Sequence, residues 1–210
     1  MEGSGLYRVF PIKNVEDLLH RYIRRLSSVF IQRHGRFRVA LAGGKTPLDL
    51  YSMLALDWER INLYLTDERY SYEKSNCRAI SQRIKGKLIC PDLSKDLESC
   101  ALEYSRLLPE RLDFVLLGVG EDGHTASLFE GIPCRYITPK VCISKRPDGL
   151  WGVSLTYEYI SSSCQVAFFV KGEEKKKVLE KLLSGVPMPA TRIKTTRKVL
   201  IFTDLSLSKT

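Results

Sequence analysis

The stretch DFVLLGVGEDGHTASLF, residues 113–129, joins an apolar run to a polar segment that is rich in glycine. The run at 113–117 is typical of a buried β-strand. Glycines at 118, 120 and 123 follow in the spacing G-x-G-x-x-G, which occurs in dinucleotide-binding loops. The next residue is His124, one of three histidines in the chain. The segment is therefore either a cofactor loop or a catalytic loop that shares its glycines.

The same succession of an apolar run and a polar loop occurs elsewhere in the chain. Apolar runs at 37–41, 61–65 and 166–170 precede AGGKTP, TDERY and KGEEK. Helical patterns alternate with these runs. We therefore predict an α/β fold: an open, mostly parallel, twisted sheet with helices on both faces, in one domain over residues 1–210. Because ligands bind at the carboxyl ends of such strands, we expect the four polar loops to meet at one edge.

The other elements are predicted from the same patterns. We expect strands at 7–12, 87–90 and 199–202, possible strands at 141–143 and 153–155, and helices at 15–31, 76–84, 97–108, 173–183 and from about 47. Asn14 and Thr46 are the expected helix N-caps, with Pro47 in the first helical position.

Composition limits the class of protein and its partners. The chain is 44% hydrophobic and 27% charged, and no apolar run approaches the roughly 20 residues that cross a bilayer. The N-terminal sequence lacks the apolar segment of a signal peptide, so we expect a cytoplasmic protein without a membrane partner. The net charge of +9 fits nucleic acid, an acidic surface or an anionic substrate, and solvated surface is the plainer alternative. Without an RNP-like, zinc-finger or basic-zipper motif, we expect no nucleic-acid partner.

The cysteine and histidine pattern argues against a metal site. The six cysteines form no C-x-x-C pair and lie at no zinc-finger spacing from a histidine. We expect them to be buried, reduced thiols and not a disulfide framework. We therefore predict that no metal is bound.

Three segments carry candidate anion ligands. Gly43, Gly44, Lys45 and Thr46 follow the strand at 37–41 and would present backbone N–H groups to a phosphate at a helix start. A P-loop would need glycine at position 39, where the chain has valine, so we reject that motif. A turn without any ligand is the alternative.

The segment TDERY and a later lysine offer further charged side chains. Arg69 has the planar fork that suits a phosphate, and Asp67 or Glu68 would hold Arg69 or a substrate hydroxyl. A local cluster of ion pairs is the alternative. Lys175, in the first turn of a helix, is expected to reach an anion at the same edge, with a solvated cation as the plainer interpretation.

The loop at 118–129 fits a catalytic role better than a dinucleotide site. A dinucleotide site needs an acid about 20 residues on, at the end of the next strand, and no acid occurs there before Asp148. We therefore expect His124 to be a general base, with Asp122 orienting its imidazole. A Ser-His-Asp hydrolase would need a G-x-S-x-G elbow, which the chain lacks. Ser127 is expected to cap or pack a helix that runs into Leu128 and Phe129.

These segments together resemble the 6-phosphogluconolactonase family, whose motifs S-G-G-S-T-P, D-E-R and G-x-G-x-D-G-H-x-A-S-L-F-P occur in this order. The resemblance implies hydrolysis of 6-phospho-D-glucono-1,5-lactone, a step of the oxidative pentose phosphate pathway. It also implies phosphate binding by the 43–46 turn and Arg69, with His124 activating water and no cofactor. The expected partner is the phosphosugar lactone alone, bound by a monomer or a weak homo-oligomer.

Related sugar-phosphate deaminases and isomerases share the D-G-H but usually continue I-A-F-N-E-P, where this chain has TASLF at 125–129. That difference favours a lactonase. A glucosamine-6-phosphate deaminase or isomerase-like enzyme and a catalytically weak sugar-phosphate-binding sensor remain the alternatives. The chain also departs from the lactonase pattern at Ala42, Lys45, Glu130 and Gly152, where the family has Ser, Ser, Pro and Arg. We expect one substrate contact to be missing or to be supplied by Lys45 or Arg146.

Overall fold

Strands and helices alternate along most of the chain in the computed structural model, which describes residues 6–206. The strands are β1 (Tyr7–Pro11), β2 (Phe37–Leu41), β3 (Ile61–Leu65), β4 (Asp67–Arg69), β5 (Leu88–Ile89), β6 (Phe114–Leu117), β7 (Arg135–Tyr136), β8 (Val141–Lys145), β9 (Trp151–Leu155), β10 (Val166–Val170) and β11 (Val199–Thr203). The helices are α1 (Val15–His34), α2 (Lys45–Met53), α3 (Asn76–Ser81), α4 (Leu97–Leu107), α5 (Tyr157–Ser161) and α6 (Lys176–Leu183). Short 3₁₀ turns lie at Trp58–Arg60, Glu173–Lys175 and Pro189–Arg192.

Seven parallel strands form the main sheet, in the order β1-β11-β10-β6-β2-β3-β5. The central strands β6 and β10 are buried along their whole length, as is usual for parallel strands covered on both faces. The prediction of an open, parallel α/β sheet is thus confirmed. After β2 the chain builds the sheet outward on one side and then returns to add β6 on the other. Such a reversal opens a crevice between the loops that follow the two strands.

A second sheet goes beyond the sequence-based prediction. It contains antiparallel strands in the order β4-β9-β8-β7. Strand β4 holds Asp67, Glu68 and Arg69, which the sequence pattern places in a loop. Its register runs from Asp67 opposite Ser154 to Arg69 opposite Gly152. A strand of three charged residues at a sheet edge carries no hydrophobic period, so the pattern cannot reveal it.

Helix α2 begins earlier than the sequence predicts. Gly44 is the N-cap, with φ of 99°, and the first helical residue is Lys45. Thr46 is therefore not the N-cap, and Pro47 occupies the third helical position. The positive φ of Gly44, which costs glycine little, lets the chain enter the helix two residues sooner. Asn14 does precede α1, but within the described residues its side chain makes no capping bond.

The segment after His124 is a turn and not a helix. The N–H of Leu128 donates to the carbonyl of Thr125 at 3.0 Å, and Ala126 has φ of 51°. A left-handed residue at this point stops a helix from forming. The prediction that Ser127 caps or packs such a helix is therefore wrong. None of the helices within residues 6–206 has the length and the apolar composition needed to span a membrane.

Four of the cysteines are paired, so the prediction of reduced thiols is wrong for them. Cys77 is bonded to Cys90, with a Cα–Cα distance of 6.0 Å, and Cys134 to Cys142, at 5.8 Å. Cys77 lies in α3 and Cys90 directly follows β5, whereas Cys134 directly precedes β7, which pairs with the strand β8 that contains Cys142. Sequence spacing alone does not reveal these approaches. The buried Cys100 and the half-buried Cys164 are free, as predicted.

Candidate functional site

A cavity of about 340 Å³ lies at the carboxyl edge of the main sheet. The polar loops that follow β2, β3, β6 and β10 all contribute to its lining. The prediction that these four loops meet at one edge of the sheet is therefore confirmed. Of the predicted site residues, those that line the cavity are Gly43, Gly44, Lys45, Thr46, Asp67, Arg69, His124 and Lys175. Glu68 and Asp122 are not in the lining.

The turn after β2 presents the start of α2 to the cavity. In the described part of the chain no side chain caps this helix, which leaves its first N–H groups for water or a ligand. Gly43 packs so closely on Asn76 that a Cβ at position 43 would lie 2.2 Å from Asn76 Oδ1. Asn76 Nδ2 in turn donates to the Asp67 carbonyl at 3.0 Å. The glycine therefore lets the turn lie directly against the neighbouring site segment.

Strand β4 divides its three charged residues between two faces, because neighbouring side chains in a strand point in opposite directions. Asp67 and Arg69 line the cavity. Glu68 is fully buried and points away from the cavity. Its carboxylate accepts the N–H groups of Arg69, Asn76 and Cys77 at 2.7, 2.6 and 2.9 Å, and the Ser75 hydroxyl at 2.9 Å.

Glu68 is therefore a structural residue and not a substrate contact. Burial raises its pKa, while the bonds from these donors act in the opposite direction. Three of its four bonded partners lie at the start of α3, and the fourth is the N–H of Arg69 in β4. The expected role of Glu68 at a substrate hydroxyl does not fit this placement.

Asp67 belongs to a buried polar cluster with Ser127 and Arg146. The Ser127 hydroxyl donates to Asp67 Oδ2 at 2.7 Å and accepts a bond from Arg146 Nη1 at 2.8 Å. Arg146 Nη1 also lies 3.7 Å from Asp67 Oδ2. Asp67 thus holds this serine and arginine, whereas the sequence suggested that Asp67 or Glu68 holds Arg69 or a substrate hydroxyl. The sequence excludes Ser127 as a nucleophile because it contains no G-x-S-x-G elbow. The only sequence signal for a place at the site was its position three residues after His124.

His124 and Asp122 form a close pair at the cavity. Asp122 Oδ1 accepts bonds from His124 Nδ1 at 2.5 Å and from the His124 backbone N–H at 3.1 Å. Burial acts to raise the pKa of Asp122, but these bonds and the imidazole charge lower it below its usual value. A carboxylate that accepts from Nδ1 leaves the unprotonated nitrogen at Nε2. No protein atom in the described residues bonds to Nε2.

The glycines of this loop make room for the pair. A Cβ at Gly120 would lie 2.0 Å from His124 Nδ1 and 2.5 Å from Asp122 Oδ1. Gly123 has φ of 84°, which places His124 after a tight turn. The ring of Phe129 stacks on the imidazole, with centroids 4.6 Å apart. The spacing that resembles a dinucleotide loop therefore serves to position a histidine.

Lysines of the loop after β10 complete the lining. Lys175 ends the 3₁₀ turn before α6, and Lys171 lies closer to the strand. Lys171 forms an ion pair with Glu16, so its charge is already compensated. Among residues 6–206, no group of three or more His, Cys, Asp or Glu side chains is arranged to hold a metal ion.

Comparison with known proteins supports one family. The family model described as "Glucosamine-6-phosphate isomerases/6-phosphogluconolactonase" matches residues 13–202. A 6-phosphogluconolactonase of Thermotoga maritima is 30% identical over 208 residues, covering 89% of this chain and 92% of that protein. One from Helicobacter pylori is also 30% identical, covering 92% and 95%. The crystal structure of the Thermotoga maritima enzyme superposes with a TM-score of 0.81 at 27% identity, covering 94% and 98%.

Proposed function

The chain belongs to the family of glucosamine-6-phosphate isomerases and 6-phosphogluconolactonases, and from this premise we propose that it hydrolyses 6-phospho-D-glucono-1,5-lactone to 6-phosphogluconate. This is the lactone step of the oxidative pentose phosphate pathway. The observation that carries the proposal is the pairing of His124 with Asp122 at a cavity that also presents the start of α2, Arg69 and Lys175. One part of the cavity thus offers a base and another offers anion ligands.

The phosphate is held by N–H groups of the turn Gly43 to Thr46, by Arg69 and by Lys175. A helix start combines free N–H donors with a favourable dipole, and a guanidinium can donate two parallel bonds. Lys45 adds a charge at the same turn. Binding the phosphate fixes the distance of the lactone carbonyl from His124, and such positioning supplies a large part of catalysis.

His124 acts as the general base. Its Nε2 takes a proton from a water as the water oxygen forms a bond to C1 of the lactone. The tetrahedral intermediate then breaks the bond from C1 to the ring oxygen, and His124 returns the proton to that oxygen. Loop N–H groups or a nearby cation stabilise the oxyanion. A base of this kind contributes about 10²–10⁴-fold, and Asp122 keeps the required tautomer.

Asp67 is a positioning residue in this proposal, since its carboxylate is bonded to Ser127 and faces Arg146. Glu68 supports the same region from the opposite face of β4 by holding the start of α3. The cytoplasmic location and the monomeric or weakly oligomeric state expected from the sequence stay predictions.

The test is to assay the purified protein on freshly generated 6-phosphoglucono-1,5-lactone and on glucosamine 6-phosphate. We expect acid release from the lactone well above its spontaneous hydrolysis and no turnover of the amino sugar. Turnover of glucosamine 6-phosphate alone would replace this function with that of a deaminase or isomerase. Binding of 6-phosphogluconate without any turnover would indicate a sugar-phosphate sensor.

A further inference from the structure

Arg146 is a buried cation whose functional role the family motifs do not provide. It directly follows β8 at the start of a hairpin turn that leads into β9. Only 10% of its side chain is exposed, yet it lines the same cavity as His124 and Arg69. A guanidinium is costly to bury unless anions surround it, so this placement needs a partner.

Gly152 leaves room for Ser127, the residue that binds Arg146. Residue 152 lies on β9 opposite Ser144, two positions before Arg146. A Cβ at position 152 would lie 2.6 Å from Cβ of Ser127 and 3.4 Å from Cδ of Arg146. A side chain at 152 would therefore overlap Ser127 and would touch the stem of Arg146. Because glycine has none, Ser127 and the stem of Arg146 can both lie against β9 at this point.

The protein engages only part of the Arg146 guanidinium. Nη1 donates to Ser127 Oγ at 2.8 Å, which fixes that end of the fork. Nε faces both carboxylate oxygens of Asp148 at 3.3 Å, longer than the 2.7–2.9 Å of a strong charge-assisted bond. Within residues 6–206, no protein acceptor is bonded to Nη2. Nε and Nη2 form one edge of the fork, the edge that binds an oxyanion with two parallel bonds.

Asp148 occupies this edge as a weak, replaceable partner. Its side chain is 39% exposed, and it also accepts the Leu150 N–H at 3.2 Å. Burial acts to raise the pKa of Asp148, but the Leu150 bond and the charges of Arg146 and Arg69 lower it. Both arginines therefore lower the pKa of the same carboxylate, and both line the cavity.

The charges of the cavity also favour an anionic ligand. Its lining holds five cations, Lys45, Arg69, Arg146, Lys171 and Lys175, of which Lys171 is already paired with Glu16, and three carboxylates, Asp67, Glu121 and Glu174. Asp67 lies 3.7 Å from Nη1 and is already bonded to Ser127, so Asp148 is the carboxylate that a ligand would displace from the Nε–Nη2 edge.

We propose that Arg146 is a second phosphate-binding guanidinium, which joins Arg69 on the substrate phosphate and displaces Asp148 when the substrate binds. The proposal rests on the proposed function, because it assigns a ligand to the same cavity. Lys45 then contributes charge only, whereas Arg146 replaces the contact that Gly152 cannot make.

The test compares phosphorylated with unphosphorylated substrate. In Arg146→Gln, KM for 6-phosphoglucono-1,5-lactone should rise about 10- to 100-fold, as expected for the loss of charged hydrogen bonds. Turnover of glucono-1,5-lactone, which has no phosphate, should stay the same. Arg135→Gln, on the exposed β7 of the same small sheet, is the matched control and should change neither. An equal loss on both lactones would overturn the proposal, because it would indicate a structural or oxyanion role.

A second test measures the affinity for inorganic phosphate by calorimetry and does not depend on catalytic turnover. Arg146→Lys should weaken binding, because an ammonium cannot donate the two parallel bonds. Asp148→Asn should strengthen binding several-fold, because the competing charge is gone while Oδ1 still accepts from Leu150. Weaker or unchanged binding in Asp148→Asn would contradict the displacement. If the wild type hydrolyses no lactone but these shifts occur, the proposed function fails and the phosphate site stands.

Discussion

Substitution of Gly120 by alanine should abolish most of the activity without unfolding the protein. The added Cβ would lie 2.0 Å from His124 Nδ1, 2.3 Å from Cε1 and 2.5 Å from Asp122 Oδ1. Real carbon atoms do not approach this closely, so the imidazole must leave its bond to the carboxylate. Because all three close contacts are with His124 and Asp122, relief of the overlap displaces this pair.

The expected magnitude follows from the role of general base that we propose for His124. A general base contributes about 10²–10⁴-fold, so kcat should fall by about that factor, or roughly 3–5 kcal/mol of transition-state stabilisation. The added methyl should cost about 1–3 kcal/mol of folding free energy as overpacking. Gly118→Ala is the comparison within the same loop. No heavy atom lies within 4 Å of a Cβ there, and φ is not positive, so the His124–Asp122 pair stays in place.

The assay is acid release from freshly generated lactone, corrected for spontaneous hydrolysis, with thermal unfolding of both variants as the check on folding. Gly120→Ala should remain folded and bind 6-phosphogluconate, with the loss confined to kcat. The kcat of Gly118→Ala should stay far closer to wild type. A folded Gly120→Ala protein with the kcat of the wild type would refute the assignment of His124, since its imidazole could not occupy the observed position.

Three further substitutions test the supports of the site. Glu68→Gln should lower the free energy of unfolding by about 1–3 kcal/mol in denaturant titration, because buried N–H donors of α3 lose a charged acceptor. Replacing Cys77 and Cys90 together by serine should lower it by about 3 kcal/mol, the value for a loop of this length, and unchanged unfolding would contradict the disulfide. Asp122→Asn should be less stable than wild type at neutral pH. Because the pKa of Asp122 is lowered in the folded state, its stabilisation is present above the ordinary carboxylate pKa and lost as pH falls through the lowered one. The difference between the two proteins should therefore shrink in acid, and a difference that grows would contradict the pairing.

The local sequence pattern was sufficient to predict the buried strands of the main sheet. The runs at 37–41, 61–65 and 166–170 coincide with β2, β3 and β10, because a strand buried on both faces is a continuous apolar run. Strand β4 has no such run, and its pairing with β9 depends on residues more than 80 positions away. The disulfide partners likewise meet only after packing, so their pairing could not be predicted from spacing.

The candidate site shows the same division. His124 and Asp122 lie two residues apart in one loop, so their pairing could be expected from the sequence. The separate roles of Asp67 and Glu68 depend on which face of β4 meets the cavity, and the sequence pattern does not indicate a strand there. The packing of Ser127 beside Arg146 depends on the side chain missing at Gly152, in the second strand of a hairpin. Such contacts depend on how the strands pair with one another, and a short sequence motif does not show that pairing.

The most direct test of the central claim is the kcat of His124→Asn on 6-phosphoglucono-1,5-lactone, measured beside the affinity of the same variant for 6-phosphogluconate. Asparagine keeps a polar side chain but cannot take a proton from water. We expect kcat to fall by about 10²–10⁴-fold while the affinity for 6-phosphogluconate is retained. A variant that hydrolyses the lactone at the wild-type rate would show that His124 is not the base.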